Sequence, residues 1–198
     1  QAKLYECAIS LAKYVQYDSV GTIEFIYDQK EKKFYFMEMN TRVQVEHPVT
    51  EFITSVDIVA TQIKIAQGEK LSLTQDQIHF QGHSIECRIN AEDARTFRPS
   101  PGHITHYHRP AGFGVRVDDF VYTGYSVKPF YDSMISKVIV KGQTREEARI
   151  RMLRALKEMV VAGISTNIAL HEQVLQDERF INNEYSTKFL EELMKERI

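Results

Sequence analysis

Tryptophan is absent from the 198-residue sequence, and cysteine occurs only twice. Cys7 and Cys87 lie far apart and in no metal motif, which excludes a disulfide scaffold or a zinc ribbon. They fit a reduced, intracellular protein, and a cytoplasmic location is expected. No apolar run approaches the roughly 18 residues of a membrane span, and no signal-peptide pattern opens the chain. Large net charge is also missing: the formal balance is −2, which argues against nucleic acid as a main partner. Glycine-rich phosphate loops are absent too, with neither G-x-G-x-x-G nor G-K-[ST] present. The sequence starts at Gln1 rather than Met and runs straight into a helical pattern, so a piece of something longer is expected. What is present is 43% hydrophobic residues, enough for a packed core.

The most informative stretch runs from Phe36 to Pro48. Glu38, Asn40, Arg42, Gln44 and Glu46 fall on alternate positions, with Met39, Thr41, Val43 and Val45 between them. In an extended chain the five polar side chains share one face. Two carboxylates then bracket an amide and a guanidinium, a set suited to a metal ion and an anion. Upstream, Gly21–Asp28 reads as a strand, residues 29–33 as a polar turn, and Phe34–Met39 as the returning strand. Folding this hairpin about Glu31 sets Glu24 opposite Glu38. Like charges so placed destabilise a sheet unless a cation lies between them. Hard oxygen donors favour Mg²⁺ or Mn²⁺ over zinc, and Mg²⁺ commonly adds substrate phosphates to one or two carboxylates. The alternative is an exposed glutamate pair with no ligand; apolar Ile23 and Phe25 favour a buried functional pair.

Along the chain, helix is expected over 2–17 and again from Ser55 or Asp57 to about Gln67, stopped by Gly68. Ile58, Val59, Gln62, Ile63 and Ala66 form the expected buried side of the second. Residues 69–80 read as a polar connection, with a boundary near 68. His83–Asn90 alternates, placing Ile85, Cys87 and Ile89 on one face and Ser84, Glu86, Arg88 and Asn90 on the other. Further strands are expected near 103–108, 113–118 and 134–141. Thr144 and Glu147 form a capping box that opens a long helix, with Ala148, Met152, Leu156 and Met159 inward and Gly163 as its stop. Helices near 167–177 and 186–197 complete an α+β chain.

Arg42 and Arg88 suit bidentate binding of bicarbonate, carboxylate or phosphate, or else surface ion pairs. Glu46 is a candidate base or a partner for Arg42. His103, His106 and His108 look like a metal cluster, but no third ligand joins His106 and His108 on their strand face. The glutamate-rich end reads as a solvated helix face.

The stretch Glu38–Glu51 resembles the signature of biotin carboxylase. So do Gly82–Asp93, Pro99–Gly102, Gly112–Arg116 and Tyr131–Lys137, and the likeness runs nearly end to end. The form Met39-Asn40-Thr41-Arg42 looks more like the acyl-CoA carboxylase branch than like pyruvate carboxylase, and acetyl-CoA carboxylase is the expected parent. The resemblance implies the C-terminal part of an ATP-grasp domain over 1–68 and the biotin carboxylase C-terminal domain over 69–198. It implies an enzyme that uses MgATP and bicarbonate, through carboxyphosphate, to carboxylate biotin on a carrier protein. Glu24, Glu38 and Asn40 would hold two Mg²⁺ or Mn²⁺ ions on the ATP phosphates. Arg42, Gln44 and the backbone of Val45 would bind bicarbonate, with Glu46 as its base. Arg88 would bind biotin and stabilise its enolate-like oxygen, and Phe113 and Arg116 would lie at a homodimer interface. The implied partners are biotin carboxyl carrier protein and carboxyltransferase. The family's preceding nucleotide-fold domain, glycine-rich lid and phosphate-clamping lysines are not found in these residues, so the chain alone is expected to bind ATP poorly and turn over little. Two rivals are another ATP-grasp ligase, which has no need of Arg88, and a non-catalytic assembly module.

Overall fold

The computed structural model describes residues 2–196, with side chains from Lys3 onward. It divides into two compact units, Gln1–Phe80 and Gln81–Ile198.

The first unit holds helix α1 (Ala2–Tyr14), strands β1 (Thr22–Asp28) and β2 (Lys33–Asn40), and helices α2 (His47–Thr54) and α3 (Ile58–Ala66). Asp28 makes the hairpin turn: its Oδ1 accepts from the backbone N–H groups of Lys30 (2.8 Å) and Glu31 (3.1 Å), the local pairing that favours Asp in turns. Nearest the turn, the pairing Asp28↔Lys33 to Phe25↔Phe36 is centred between Lys30 and Glu31. A bulge at Met37 then moves the centre to Glu31, so that Glu24 does oppose Glu38. The bulge inserts one residue into one strand and re-aims the side chains beyond it. The hairpin's apolar residues include an aromatic trio, with the Phe25 ring edge-on to Phe34 (5.4 Å) and Phe36 (6.4 Å).

The polar strip departs from the expected extended strand. β2 ends at Asn40, and residues 41–46 form an irregular loop. Helix α2 then begins, with Glu46 as its N-cap and Pro48 in its first turn. Proline there loses no needed hydrogen bond and has its φ already set for helix. Asp57 caps α3 by accepting from Ala60 N–H at 2.8 Å. The expected buried side of α3 is rotated: Ile58 and Gln62 are half-buried, while Val59, Ile63 and Ala66 are exposed. Ile58, Thr61, Gln62 and Ile65 instead line a groove of about 270 Å³, closed from the other side by Leu71, Leu73 and Ile78. The expected polar connection therefore packs on α3, with one 3-10 turn at Gln75–Gln77.

The second unit is built on a three-stranded antiparallel sheet of β3 (His83–Asn90), β8 (Met134–Gly142) and β6 (Val115–Asp119), in the order β3-β8-β6. Two small ladders join β4 (Gly102–His103) to β7 (Ser126–Val127) and β5 (His106–His108) to β9 (Val160–Ala162). Helix α4 (Arg145–Glu158) covers one sheet face. Its buried Ala148, Met152, Ala155 and Leu156 join Cys87, Ile89, Val138 and Val140 in the core. Each large side chain so buried contributes roughly 1.5–3 kcal/mol. Thr144 Oγ1 accepts from Glu147 N–H at 3.1 Å, while Glu147 reaches back to the N–H of Gln143 rather than of Thr144. Helices α5 (Ile168–Gln176), α6 (Glu178–Ile181) and α7 (Phe189–Lys195) come last.

The long helix does not run to Gly163. It ends at Glu158, and Val160–Ala162 turns into β9 against β5. Gly163 serves the ladder instead, at φ +97°, where a side chain would strike the carbonyl of His103. His108 Nε2 lies 3.8 Å from Glu158, and among the described residues no three His, Cys, Asp or Glu side chains gather as metal ligands.

Candidate functional site

The hairpin, the loop after it and the start of α2 bring four of the expected residues together. Asn40 ends β2 between the opposed carboxylates, and its Nδ2 donates to Glu24 Oε1 (2.9 Å) and to Glu38 Oε1 (3.2 Å). Gln44, from the loop, donates its Nε2 to the same Glu24 oxygen at 2.9 Å. Two side-chain amides thus quench the like-charge pair that the bulge creates. Glu24 is half-buried and Glu38 exposed, so the expectation of a buried pair holds only in part.

Hydrogen bonding to the backbone shapes the loop. His47 Nδ1 lies 2.8 Å from the carbonyl of Gln44; a carbonyl only accepts, so the imidazole carries its proton on Nδ1. This contact, which no sequence pattern announces, ties the loop to the first turn of α2. Gln44 and Glu46 line one depression of about 230 Å³ together with Thr22, Val43 and His47. Arg42 is exposed, and its Nη1 donates to the carbonyl of Val43 at 3.3 Å. Val45 is half-buried in the same loop.

The donor set fits a divalent ion of the Mg²⁺ kind. Glu24 and Glu38 offer hard carboxylate oxygens, and turning the Asn40 amide over presents its Oδ1 as well. Two carboxylates make no closed protein cage; they suit an ion that completes its shell with water and phosphate oxygens.

Arg88 belongs to the second unit, on β3, with its side chain exposed. Lys137 of β8 stands opposite it, and Asp118 of β6 opposite Lys137, so the three share one sheet face. Lys137 Nζ is 3.4 Å from Asp118, and Arg116 grips the same carboxylate with Nε (2.7 Å) and Nη2 (2.9 Å). Burial pushes the Asp118 carboxyl up, but the Arg116 fork and the Lys137 charge outweigh it and hold the group below the usual carboxylate range. The carbonyl of Arg88 accepts from Asn167 Nδ2 (3.1 Å) and His171 Nε2 (2.8 Å). Burial lowers the His171 imidazole below its ordinary value, opposed by that carbonyl. The Cys87 thiol, buried beside Glu86, is pushed up to about 12 and is inert.

Phe113 and Arg116 flank a glycine turn. Phe113 is 92% exposed, with the Arg151 guanidinium 5.9 Å from its ring centre. Gly114, at φ +73°, leaves no room for a Cβ between Arg151 Nη1 and the carbonyl of Lys141.

With this geometry in view, the comparisons with known proteins are specific. Residues 86–192 match the biotin carboxylase C-terminal domain, and residues 1–74 match the ATP-binding domain of the carbamoyl-phosphate synthase L chain. Biotin carboxylase 1 of Bacillus subtilis is 55% identical over 94% of this chain, which spans 42% of that protein. The structure superposes on a biotin carboxylase complex with a β,γ-ATP ligand from Campylobacter jejuni with a TM-score of 0.92, at 46% identity, covering 96% of this chain and 42% of that one. It superposes equally well (TM-score 0.93, 47% identity, 97% of this chain and 43% of that one) on the biotin carboxylase domain dimer of a Hydrogenobacter thermophilus 2-oxoglutarate carboxylase, solved with MgADP, ADP and bicarbonate. No helix among the described residues is long and apolar enough to cross a membrane. The matched domain covers more than half of the sequence, and the chain belongs to the biotin carboxylase family.

Proposed function

We propose that this chain forms the C-terminal portion of an enzyme that carboxylates carrier-bound biotin with MgATP and bicarbonate. The single observation that carries the reading is the Glu24–Glu38 pair, held across a bulged hairpin and joined by Asn40 and Gln44. Glu24, Glu38 and Asn40 would hold two Mg²⁺ or Mn²⁺ ions, which supply charge neutralisation to the phosphates of ATP. Arg42, the Gln44 amide and the backbone of Val45 bind bicarbonate. Glu46 removes the bicarbonate proton, and the resulting anion attacks the γ-phosphorus. The bond to ADP breaks as carboxyphosphate forms. The carboxyl group then passes to N1′ of biotin, and the departing phosphate takes up the proton that this nitrogen loses. The Arg88 guanidinium stabilises the negative oxygen of the biotin ureido group meanwhile. Most of the acceleration in such a reaction comes from positioning and charge stabilisation.

The domain division we assign is 1–68 for the back of the ATP-grasp domain and 69–198 for the C-terminal domain, although its leading residues 69–80 pack within the first compact unit. Phe113 and Arg116 face a second copy in a homodimer. A biotin carboxyl carrier protein presents the biotin, and a carboxyltransferase consumes the product in the cytoplasm. The form Met39-Asn40-Thr41-Arg42 supports acetyl-CoA carboxylase as the assembly. A 2-oxo acid carboxylase is the second reading, favoured by 50% identity over 96% of this chain to a pyruvate carboxylase subunit from Methanothermobacter thermautotrophicus. The test is bicarbonate-dependent phosphate release by the full-length protein, with and without free biotin, for wild type and Arg88→Ala. Stimulation of the wild type by biotin, lost in the variant, is the expected result. No response to biotin in the wild type assigns the chain to another ATP-grasp ligase.

A further inference from the structure

We propose that Asn167 and His171 are positioning residues for Arg88, fixing the backbone from which its guanidinium reaches biotin. The inference rests on the biotin role proposed for Arg88 and goes beyond it by naming what holds that residue in place.

Arg88 stands on the outer strand of the sheet, beside a break in its ladder. β3 is an outer strand, bonded to β8 along one edge only. One residue past Arg88, between Ile89 and Asn90, the register shifts: Ile89 pairs with Ser136, but Asn90 pairs with Met134. The extra residue, Ile135, lies on β8, and a bulge of this kind disrupts the ladder locally and re-aims the side chains beside it. Arg88 is on the open face next to that break, while Cys87 and Ile89 fix the other face in the core.

Asn167 spans this weak point. Its Nδ2 donates to the Arg88 carbonyl at 3.1 Å, its Oδ1 accepts from Asn90 N–H at 2.9 Å, and its own N–H donates to the Asn90 carbonyl at 3.2 Å. Here one N–H and the oxygen of the side-chain amide serve as a peptide group would, and so complete the outer edge of β3 in place of a neighbouring strand. Asn167 is 8% exposed, and a buried amide is costly unless it is hydrogen-bonded, as this one is through both its nitrogen and its oxygen. His171, one turn further along in α5, adds a second donor to the Arg88 carbonyl at 2.8 Å. Its Nε2 therefore carries a proton. Both side chains address the backbone of Arg88 rather than its guanidinium, so they set where the group starts from without competing for the substrate.

The experiment uses the full-length protein with His171→Leu, His171→Gln, Asn167→Ala and Arg88→Ala. Three quantities are read: the KM for free biotin, the biotin-independent phosphate release, and the thermal midpoint. His171→Leu removes one donor from a shared carbonyl and should raise the biotin KM about tenfold, with biotin-independent release unchanged. His171→Gln, whose Nε2 reaches the same carbonyl, should restore the wild-type KM. Asn167→Ala should lower biotin-dependent kcat/KM by about 100-fold, the scale expected when a reacting group is misplaced by about 1 Å. The proposal is overturned if biotin-independent release falls as far as the biotin-dependent rate, if His171→Gln behaves like His171→Leu, or if neither His171→Leu nor Asn167→Ala moves the biotin parameters. Arg88→Ala separates the two layers. If it keeps the biotin response, the biotin role of Arg88 falls; if it alone loses that response, only the positioning inference falls.

Discussion

The two units hold their functional side chains by different physics. In the second, the large core residues are packed around the β3-β8-β6 sheet, and Arg88 stands on its outer strand, where Asn167 and His171 complete the edge. In the first, Pro48 is the one buried residue among those described. Its functional side chains are held by hydrogen bonds instead: two amides on Glu24 and His47 on the loop carbonyl. Packing gives rigidity that survives the loss of single contacts, whereas a hydrogen-bonded loop depends on each member. Regions with few buried apolar contacts also open at lower free-energy cost. The anion-binding strip we propose therefore belongs to the adaptable part of the molecule, and the arginine we assign to biotin to a packed sheet whose edge is pinned by hydrogen bonds.

Breaking the core should show this contrast most strongly. Met152 is fully buried in α4, and Met152→Ala should destabilise the second unit by about 2–5 kcal/mol through lost burial and a residual cavity. Urea denaturation measures it. By contrast Ile63→Ala, on the exposed side of α3, should change stability by no more than about 0.5 kcal/mol. Equal effects would mean that the first unit is held by packing after all.

Chemistry should separate from stability at the hairpin. Glu38→Gln removes one of two opposed carboxylates at an exposed position. Folding stability should move by less than about 0.5 kcal/mol, while Mg²⁺-dependent activity of the full-length protein falls by at least about 100-fold. A loss of activity that tracked a loss of stability would assign Glu38 a structural role.

These contrasts also explain which features are readable from residues alone. A symmetric hairpin yields the Glu24–Glu38 pairing, and two departures cancel in it: the turn is centred half a residue earlier, and the bulge at Met37 restores the register. Alternation identifies the strip, yet an extended strand is only one backbone that fits alternating polar residues. Pro48 after a polar residue, followed by Val49, Phe52 and Ile53, is the available signal for α2, the helix that ends the strip. On α3, spacing marks a stripe of apolar residues, but the partner that covers it, the 71–78 segment, decides which side turns in. Thr144 is a reliable cap because capping is local. Asn167 and His171 lie 79 and 83 residues from Arg88, and no local pattern reports such a contact.

A smaller effect than those on the core and on activity lies on the polar face of the β3-β8-β6 sheet, and its sign comes from linkage. The Asp118 carboxyl is held below its ordinary value of 3.8 in the folded chain, with Arg116 and Lys137 prevailing over burial. A group whose folded value is depressed contributes stability at pH above its unfolded value. That contribution drains away as pH falls below about 4 and is gone once the folded group is itself protonated. Asp118→Asn should therefore cost about 0.5–1 kcal/mol near neutrality, since Asp118 is partly open to solvent and its ion pairs are screened. The deficit should shrink on acidification below about pH 4, where wild type and variant converge. Urea midpoints across this range read the convergence directly. Curves that stay parallel into acid would show that Arg116 and Lys137 hold Asp118 by shape rather than by charge.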